Sequence, residues 1–200
     1  MNLAIKKYNA GNIQSVLNAL DNLGVSASVT DNPDELQNAD KVIFPGVGAA
    51  ASAMESLKSV QLDQLIKDLK QPVLGICVGM QLLFDHSEEG DTPCLGIIPY
   101  KVKKFSSGID LNGQPLKVPQ IGWNDIYNLR SDLFKNIKEH RYVYYVHSYY
   151  AEINPYCIAS SDYGINYCGA VRKDNFYGVQ FHTEKSADIG MRILQNFLSL

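Results

Sequence analysis

Cys77 lies at the centre of a G-x-C-x-G segment, residues 75–79, a pattern that can present a thiol as a nucleophile. An apolar run, residues 73–76, precedes it, and an amphipathic stretch that we predict to be helical follows. Glycines on both sides let a strand turn sharply into a helix and leave the central side chain exposed. N–H groups at the start of such a helix favour a thiolate and bind an oxyanion. The alternative for this segment alone is a buried cysteine in an ordinary strand–helix turn.

A nucleophilic thiol needs a base that takes its proton and later protonates the leaving amine. Among the four histidines, His182 directly follows the apolar run 176–181, and Glu184 lies two residues further, where a carboxylate can orient the imidazole. His147 is the alternative base, and the other two histidines lie in polar stretches. The sequence therefore predicts a catalytic centre made of Cys77, His182 and Glu184.

A glycine-rich segment, residues 45–48, follows another predicted strand and should open on the same edge of the sheet. Its backbone N–H groups, with that of the residue after the cysteine, would form an oxyanion hole from Gly46, Val47 and Val78. The alternatives are a plain turn and a phosphate cradle. The cradle is disfavoured because no Lys-Ser or Lys-Thr pair follows, as a P-loop requires.

The elements that must position these residues alternate in the first half between short apolar runs and amphipathic stretches, as in parallel βα units. We predict strands at 3–5, 25–29, 41–44 and 72–76, with helices after Asn12 and over 49–69. From about residue 96, tyrosine-rich and β-branched runs predict antiparallel strands at 100–105, 142–146, 158–160, 167–171 and 176–181. A final amphipathic helix carries Ile189, Ile193, Leu194 and Phe197 on one face. The predicted fold class is α/β, with a mostly parallel central sheet flanked by helices and an additional antiparallel region in the second half.

Composition limits the possible partners. The 200 residues, 46% hydrophobic and 20% charged, fit one domain over 1–200, and the net charge of −3 gives no basic surface for nucleic acid. We find no export signal and no apolar stretch of membrane-spanning length, so we expect no membrane partner and a cytoplasmic location. The four cysteines lack C-x-x-C spacing, which predicts neither a zinc knuckle nor a disulfide framework.

The motifs together resemble the class I (triad-type) glutamine amidotransferases, and more narrowly the glutaminase subunits of imidazole glycerol phosphate synthases. The matching stretches run in order along nearly the whole chain: residues 11–16, 45–48, 75–83, 119–124, 146–149 and 178–186. The chain departs from the family at Thr183, where proline is usual, and over residues 6–10, where a usual acidic residue and a glycine are replaced.

The resemblance implies that Cys77 attacks the side-chain amide of L-glutamine to form a γ-glutamyl thioester, which water then cleaves. His182 would move the proton and Glu184 would orient His182. By the same resemblance, the substrate would be bound by Gln81, Glu89, His147, Ser148 and Tyr149. This chemistry calls for no cofactor and no metal.

The resemblance also implies a partner. Protonated ammonia is not a nucleophile, so these domains pass ammonia directly to a synthase, here a (β/α)8-barrel cyclase in a heterodimer that makes imidazole glycerol phosphate for histidine biosynthesis. The implied interface residues are Asn12, Trp123 and Asn124, although Trp123 alone also fits a core aromatic. The alternative is a paralogous subunit that supplies ammonia for amidated sugars of surface glycans.

Overall fold

The computed structural model describes residues 1–7, 13–46, 48–106, 108 and 114–200. The helices are α1 (Ile13–Asn22), α2 (Pro33–Asn38), α3 (Ala50–Ser59), α4 (Leu62–Asp68), α5 (Val78–Gln81) and α6 (Ala187–Leu198), with 3₁₀ turns at Asp132–Phe134 and Thr183–Lys185. None of the helices in these residues is both long and apolar enough to span a bilayer.

The strands are β1 (Leu3–Lys6), β2 (Ala27–Thr30), β3 (Lys41–Gly46), β4 (Val73–Cys77), β5 (Phe84–Ser87), β6 (Thr92–Pro93), β7 (Ile98–Lys104), β8 (Gln120–Ile126), β9 (Arg141–His147), β10 (Tyr149–Ala151), β11 (Cys157–Asp162), β12 (Asn166–Lys173) and β13 (Phe176–Val179). In the described part of the chain, the largest sheet has seven strands in the order β11-β12-β13-β4-β3-β1-β2. Strands β2, β1, β3, β4 and β13 run parallel to one another. Strand β12 pairs antiparallel with β13, and β11 pairs antiparallel with β12. The predicted α/β class, with its antiparallel addition in the second half, is confirmed.

The centre of this sheet consists of strands that are buried on both faces. Every residue of β3 and β4 is buried, and this explains why their sequences are continuous apolar runs rather than alternating ones. Smaller sheets lie beside this core, one with the strand order β10-β7-β5-β6 and one a two-stranded ribbon of β8 and β9. Strands β3, β4 and β13 end at the same edge, which the sequence predicted for the segments that follow β3 and β4. The sequence predicted an antiparallel strand at 176–181, but β13 pairs antiparallel only with β12 and runs parallel to β4.

Two helix predictions differ from the structure. Residues 49–69 form two helices rather than one, because Gln61 adopts a left-handed conformation with φ 55° between α3 and α4. The helix predicted after Cys77 is only the single turn α5, and strand β5 begins at Phe84. Residues 78–84 are buried without exception, so this stretch lacks the polar face that an amphipathic helix would present.

Candidate active site

Cys77 ends strand β4 in a sharp turn into α5, with φ 54° and ψ −112°, a conformation that a non-glycine residue rarely adopts. The turn depends on close backbone packing. A Cβ at Gly79 would lie 1.9 Å from the carbonyl oxygen of Phe44 on β3, and one at Gly75 would lie 2.5 Å from the Gly79 carbonyl oxygen. Only glycine fits at these two positions, so strand, turn and helix are locked together around the thiol.

Two hydrogen bonds of its backbone fix the position of His182 independently of the contacts of its ring. Its N–H donates to the Tyr144 carbonyl of β9 at 2.9 Å, and its own carbonyl accepts from the Ser186 hydroxyl at 2.6 Å. Ring atom Nδ1 donates to Oε1 of Glu184 at 2.7 Å, and the Glu184 side chain is fully buried. Because Nδ1 is used by Glu184, the hydrogen bond between His182 and Cys77 falls to Nε2.

The charge state of His182 follows from these contacts. Burial lowers the pKa of the imidazole, but the hydrogen bonds with Cys77 and Glu184 raise it by more, to about 10. His182 is therefore an imidazolium at neutral pH when it faces the negative charges of a thiolate and a carboxylate. That state already carries the proton that a departing amine requires.

His147, the alternative base, has a different environment. Burial lowers its pKa from the ordinary 6.5 to about 4, so the ring is neutral at physiological pH. Its Nδ1–H donates to the Tyr149 carbonyl at 2.7 Å. The unprotonated Nε2 can only accept, and the hydroxyl of Tyr167 lies 3.5 Å from it. Nδ1 therefore ties the ring to the β9–β10 connection, and Nε2 faces Tyr167 and Gln120 rather than the thiol.

A cavity of about 360 Å³ lies over the thiol, within the size range of small-molecule sites. Nearly all of the predicted site residues that the structure describes meet there. The lining consists of Gly46, Gly48, Cys77, Val78, Gln81, Glu89, Pro119, Val146, His147, Ser148, Tyr149 and His182. Glu184 does not line the cavity, because it lies behind His182.

Gln81 and Glu89, two of the five residues that the resemblance assigns to substrate binding, are each tied to a neighbouring element. The Gln81 Nε2 donates to the Tyr149 carbonyl at 3.1 Å and to Oε1 of Gln180 at 3.0 Å. Glu89 Oε2 accepts from the backbone N–H of Ala50, the first residue of α3, at 2.7 Å. Since the Gln81 nitrogen spends both hydrogens, its oxygen is left to accept from a ligand, and the Glu89 carboxylate can likewise only accept.

The predicted oxyanion donors are described in part. Gly46 pairs with Cys77 in the β3–β4 register, and a Cβ there would lie 2.0 Å from the Gly79 nitrogen, so the end of β3 packs directly on the turn. Val78 begins α5 and lines the cavity. Val47 lies outside the described residues. Because α5 has one turn, the anion-binding capacity comes from individual N–H groups rather than from a long helix dipole.

The three predicted interface residues differ in how exposed and how engaged the structure shows them to be. Asn12 lies outside the described residues. Trp123 is 53% exposed on β8, which excludes the core-aromatic alternative. Asn124 is half-buried, and its amide donates to the Asp162 carbonyl of β11 at 2.7 Å, so its side chain is engaged within the protein.

Sequence reasoning missed several residues that surround the thiol. The Cys77 S–H donates to the Val146 carbonyl at 3.7 Å, and Gln180 Nε2 lies 3.9 Å from Cys77 Sγ. Pro119 lines the cavity, and Ser186 anchors the His182 backbone. Gln180 had a signal, since it lies two residues before His182 in a predicted strand beside β4. The others act through backbone atoms or shape, which residue type does not reveal.

Thr183, the departure from the family pattern, is buried, and its hydroxyl lies 3.5 Å from Oε2 of Glu184. The His182–Glu184 contact forms around it, and the carbonyl of Thr183 accepts from the Ser186 N–H within the 3₁₀ turn. The geometry of the pair therefore does not need a proline at this position.

Comparison with known proteins agrees with this geometry. The family model "glutamine amidotransferase class-I" matches residues 5–200. Imidazole glycerol phosphate synthase subunit HisH from Bacteroides fragilis is 51% identical over 200 residues, covering 100% of both chains. The subunit of the same name from Maridesulfovibrio salexigens is 46% identical, covering 98% of this chain and 95% of that protein.

Solved structures show the same fold at low sequence identity. A glutamine amidotransferase from Thermotoga maritima has a TM-score of 0.63 and 17% identity, covering 98% of this chain and 81% of that one. The glutaminase domain of Trypanosoma brucei CTPS, solved with bound acivicin, has a TM-score of 0.67 and 17% identity, covering 99% and 94%. On the family match and the full-length relatives, the chain belongs to the class-I glutamine amidotransferases and, within them, to the HisH subunits of imidazole glycerol phosphate synthase.

Proposed function

We propose that this chain hydrolyses L-glutamine to glutamate and ammonia with Cys77, His182 and Glu184, and passes the ammonia to a cyclase subunit that makes imidazole glycerol phosphate for histidine biosynthesis. The observation that carries the proposal is the continuous contact from the thiol through the imidazole to a buried carboxylate at one cavity. We also propose that residues 1–200 act as one amidotransferase domain in the cytoplasm, with support from the family match over 5–200.

The mechanism follows from the contacts of the thiol. Cys77 Sγ forms a bond to the side-chain carbonyl carbon of glutamine, and the oxygen becomes an oxyanion. Gly46 and Val78, which line the cavity, would offer it backbone N–H groups, and a donor at Val47 stays a prediction from the sequence. His182 gives its Nε2 proton to the amide nitrogen, the carbon–nitrogen bond breaks, and ammonia leaves a γ-glutamyl thioester. His182 then takes a proton from water, which attacks the thioester and releases glutamate and the thiol.

The α-ammonium and α-carboxylate groups of glutamine need hydrogen-bond acceptors and donors, respectively, from the protein. The Gln81 oxygen and the Glu89 carboxylate are acceptors, which suits the α-ammonium group. Ser148 and Tyr149 line the same cavity, and N–H groups at these residues would suit the α-carboxylate. His147 supports this site from beneath, because its Nδ1–H holds the Tyr149 carbonyl.

The partner surface lies on the β8–β9 ribbon. Ile121 and Trp123 face the same side as Tyr142, and these three side chains are 62%, 53% and 61% exposed. Val146, opposite Ile121 in the register, lines the cavity, so the apolar face continues to the site where ammonia forms. We propose that the (β/α)8-barrel cyclase docks here, because exposed aromatic groups beside a cavity are typical of interface centres.

The alternative, a subunit that supplies ammonia to glycan amidation, is not favoured. Relatives that carry the name HisH match at 42% to 51% identity over essentially the whole chain. That degree of similarity supports the histidine pathway.

Glutamate release measured with each candidate barrel tests the proposal. We expect activity with the histidine-pathway cyclase, stimulated by the acceptor ligand bound in the barrel and abolished in Cys77→Ala. Activity with a glycan-pathway barrel alone would assign the chain to the paralogue. No glutamate release with any barrel would overturn the assignment as a glutaminase.

A further inference from the structure

Gln180 is brought beside the nucleophile by the sheet register. Strand β13 pairs with β4 so that its last residue, Val179, lies opposite Ile76. The next residues along the chain are Gln180 and Cys77. The Gln180 side chain is fully buried, and its backbone N–H donates to the Gly169 carbonyl at 2.9 Å. The residue is therefore fixed at the level of the thiol by main-chain bonds.

The orientation of the Gln180 amide is determined by a chain of contacts that begins at a backbone carbonyl. The Tyr149 carbonyl can only accept, so the Gln81 atom facing it at 3.1 Å must be the amide nitrogen. That same nitrogen donates to Gln180 at 3.0 Å, so the Gln180 atom facing it must be the oxygen. The Gln180 nitrogen then necessarily points at the sulfur, 3.9 Å away.

An amide N–H that points at the sulfur affects the stability of the Cys77 thiolate. The Val146 carbonyl, 3.7 Å from Sγ, accepts from the S–H of the thiol but faces the thiolate with a partial negative charge. An N–H donor stabilises the charged form of the group that it contacts. Among the described residues, Gln180 supplies such a donor from the side of β13, and His182 supplies another.

We propose that Gln180 is a further catalytic residue, whose amide N–H, oriented by Gln81, stabilises the Cys77 thiolate. This inference deepens the proposed function and rests on it for the role of Cys77. Gln81 is a positioning residue, because it acts on the sulfur only by orienting the Gln180 amide. A substrate contact that reorients Gln81 would therefore be transmitted to the nucleophile.

The test is the pH dependence of Cys77 alkylation by iodoacetamide, followed on the intact chain by peptide mass spectrometry that separates Cys77 from the other three thiols. Gln180→Glu keeps an oxygen for Gln81 but puts an acceptor against the sulfur, and Gln180→Met removes both contacts. We expect the midpoint to rise by about one pH unit in both, which slows alkylation about tenfold at pH values below the wild-type midpoint. With the cyclase bound, kcat should fall by a similar factor while KM changes less.

A merely structural role would lower the thermal stability of these variants without moving the alkylation midpoint, and that result would overturn the inference. Should both Gln180 variants fail to fold, the alkylation midpoint of Gln81→Met provides the test, because this change removes the hydrogen bond that orients the Gln180 amide and leaves the Cys77 sulfur untouched. A raised midpoint supports the stabilisation of the thiolate by Gln180, and an unchanged midpoint overturns it. Alkylation requires no glutamine, so failure of the glutaminase assay with a shifted midpoint would contradict the proposed function alone.

Discussion

At the scale of single residues, His182 lies between a thiol and a carboxylate, and both hydrogen bonds favour its protonated form. The pKa of His147 is shifted in the opposite direction, because burial lowers it, the hydrogen bond to the Tyr149 carbonyl raises it by less, and the charge of His182 lowers it further. Two histidines in one site thus have their pKa values moved apart, to about 4 and about 10, and this separation supports His182 rather than His147 as the proposed proton carrier.

Glu184→Gln tests the proton carrier. The amide oxygen can still accept from His182 Nδ1, but the negative charge is lost and the pKa of the imidazole falls. In complexes with the cyclase, the alkaline limb of the kcat/KM profile should therefore move to lower pH, and kcat should drop on the order of a hundredfold or more. Asp188→Asn, which alters an exposed carboxylate on α6, should leave both unchanged. An unmoved alkaline limb in Glu184→Gln would refute this account of the charge.

His147 should make the fold sensitive to acid. Its pKa of about 4 in the fold lies below the ordinary 6.5, so its contribution is present above 6.5 and is lost as the pH falls towards 4. From this shift, the free energy of unfolding should fall by about 2 kcal/mol between pH 7 and pH 5 on account of this ring alone. Urea unfolding of wild type and His147→Gln at the two pH values measures the difference. Equal losses in both proteins would show that His147 does not titrate this way.

At the scale of elements, the site depends on three parallel strands whose ends meet. β3 brings the glycine segment, β4 brings the nucleophile and β13 leads to the His182 turn. The backbones of β3 and α5 approach so closely that glycine at position 79 is a geometric requirement.

Gly79→Ala should therefore damage the fold itself. The new Cβ would lie 1.9 Å from the Phe44 carbonyl oxygen, in the centre of a fully buried sheet where neither backbone can yield. We expect a loss of about 3 kcal/mol in the free energy of unfolding, or failure to fold. Gly108→Ala is the matched control, because no atom of the described residues lies within 4 Å of a Cβ there. Equal denaturation midpoints for the two variants would disprove the packing argument.

Sequence reasoning predicted the elements whose pattern is set locally. Strands β1, β3 and β4 and helix α6 lie where apolar runs or helical spacing placed them. Strands β5, β8 and β10 were missed because their sequences, such as Phe84–Ser87, mix polar and apolar residues and are defined by their partners. The same reason hid the position of Gln180 beside the thiol, which follows from the β13–β4 register. The Val146 carbonyl reaches Cys77 from a different sheet, and residue type does not reveal such a contact. The roles of the site residues stay predictions that the geometry supports.

At the scale of the whole molecule, the cavity opens beside an apolar face on the β8–β9 ribbon, so the proposed sites of glutamine hydrolysis and of partner binding adjoin each other. A glutaminase that releases ammonia into water would lose it to protonation. The arrangement therefore favours a partner that covers this face and receives the product directly.

Trp123→Ala tests the docking face. Trp123 packs edge-on against Tyr144 and is otherwise exposed, so its truncation should spare the fold. We expect Kd for the cyclase to rise by about thirtyfold, the loss that a central interface aromatic typically causes. Val60→Ala, which trims an exposed apolar side chain after α3, should leave Kd unchanged in the same calorimetric titration. Equal affinities for the two variants would place the interface elsewhere.

The most direct test of the central claim is to trap the intermediate. The complex is mixed with glutamine, quenched in acid within the first turnovers, digested and analysed by mass spectrometry. The account predicts a glutamyl group on the peptide that contains Cys77, and neither adduct nor glutamate release in Cys77→Ala. Glutamate release at the wild-type rate by Cys77→Ala would contradict it.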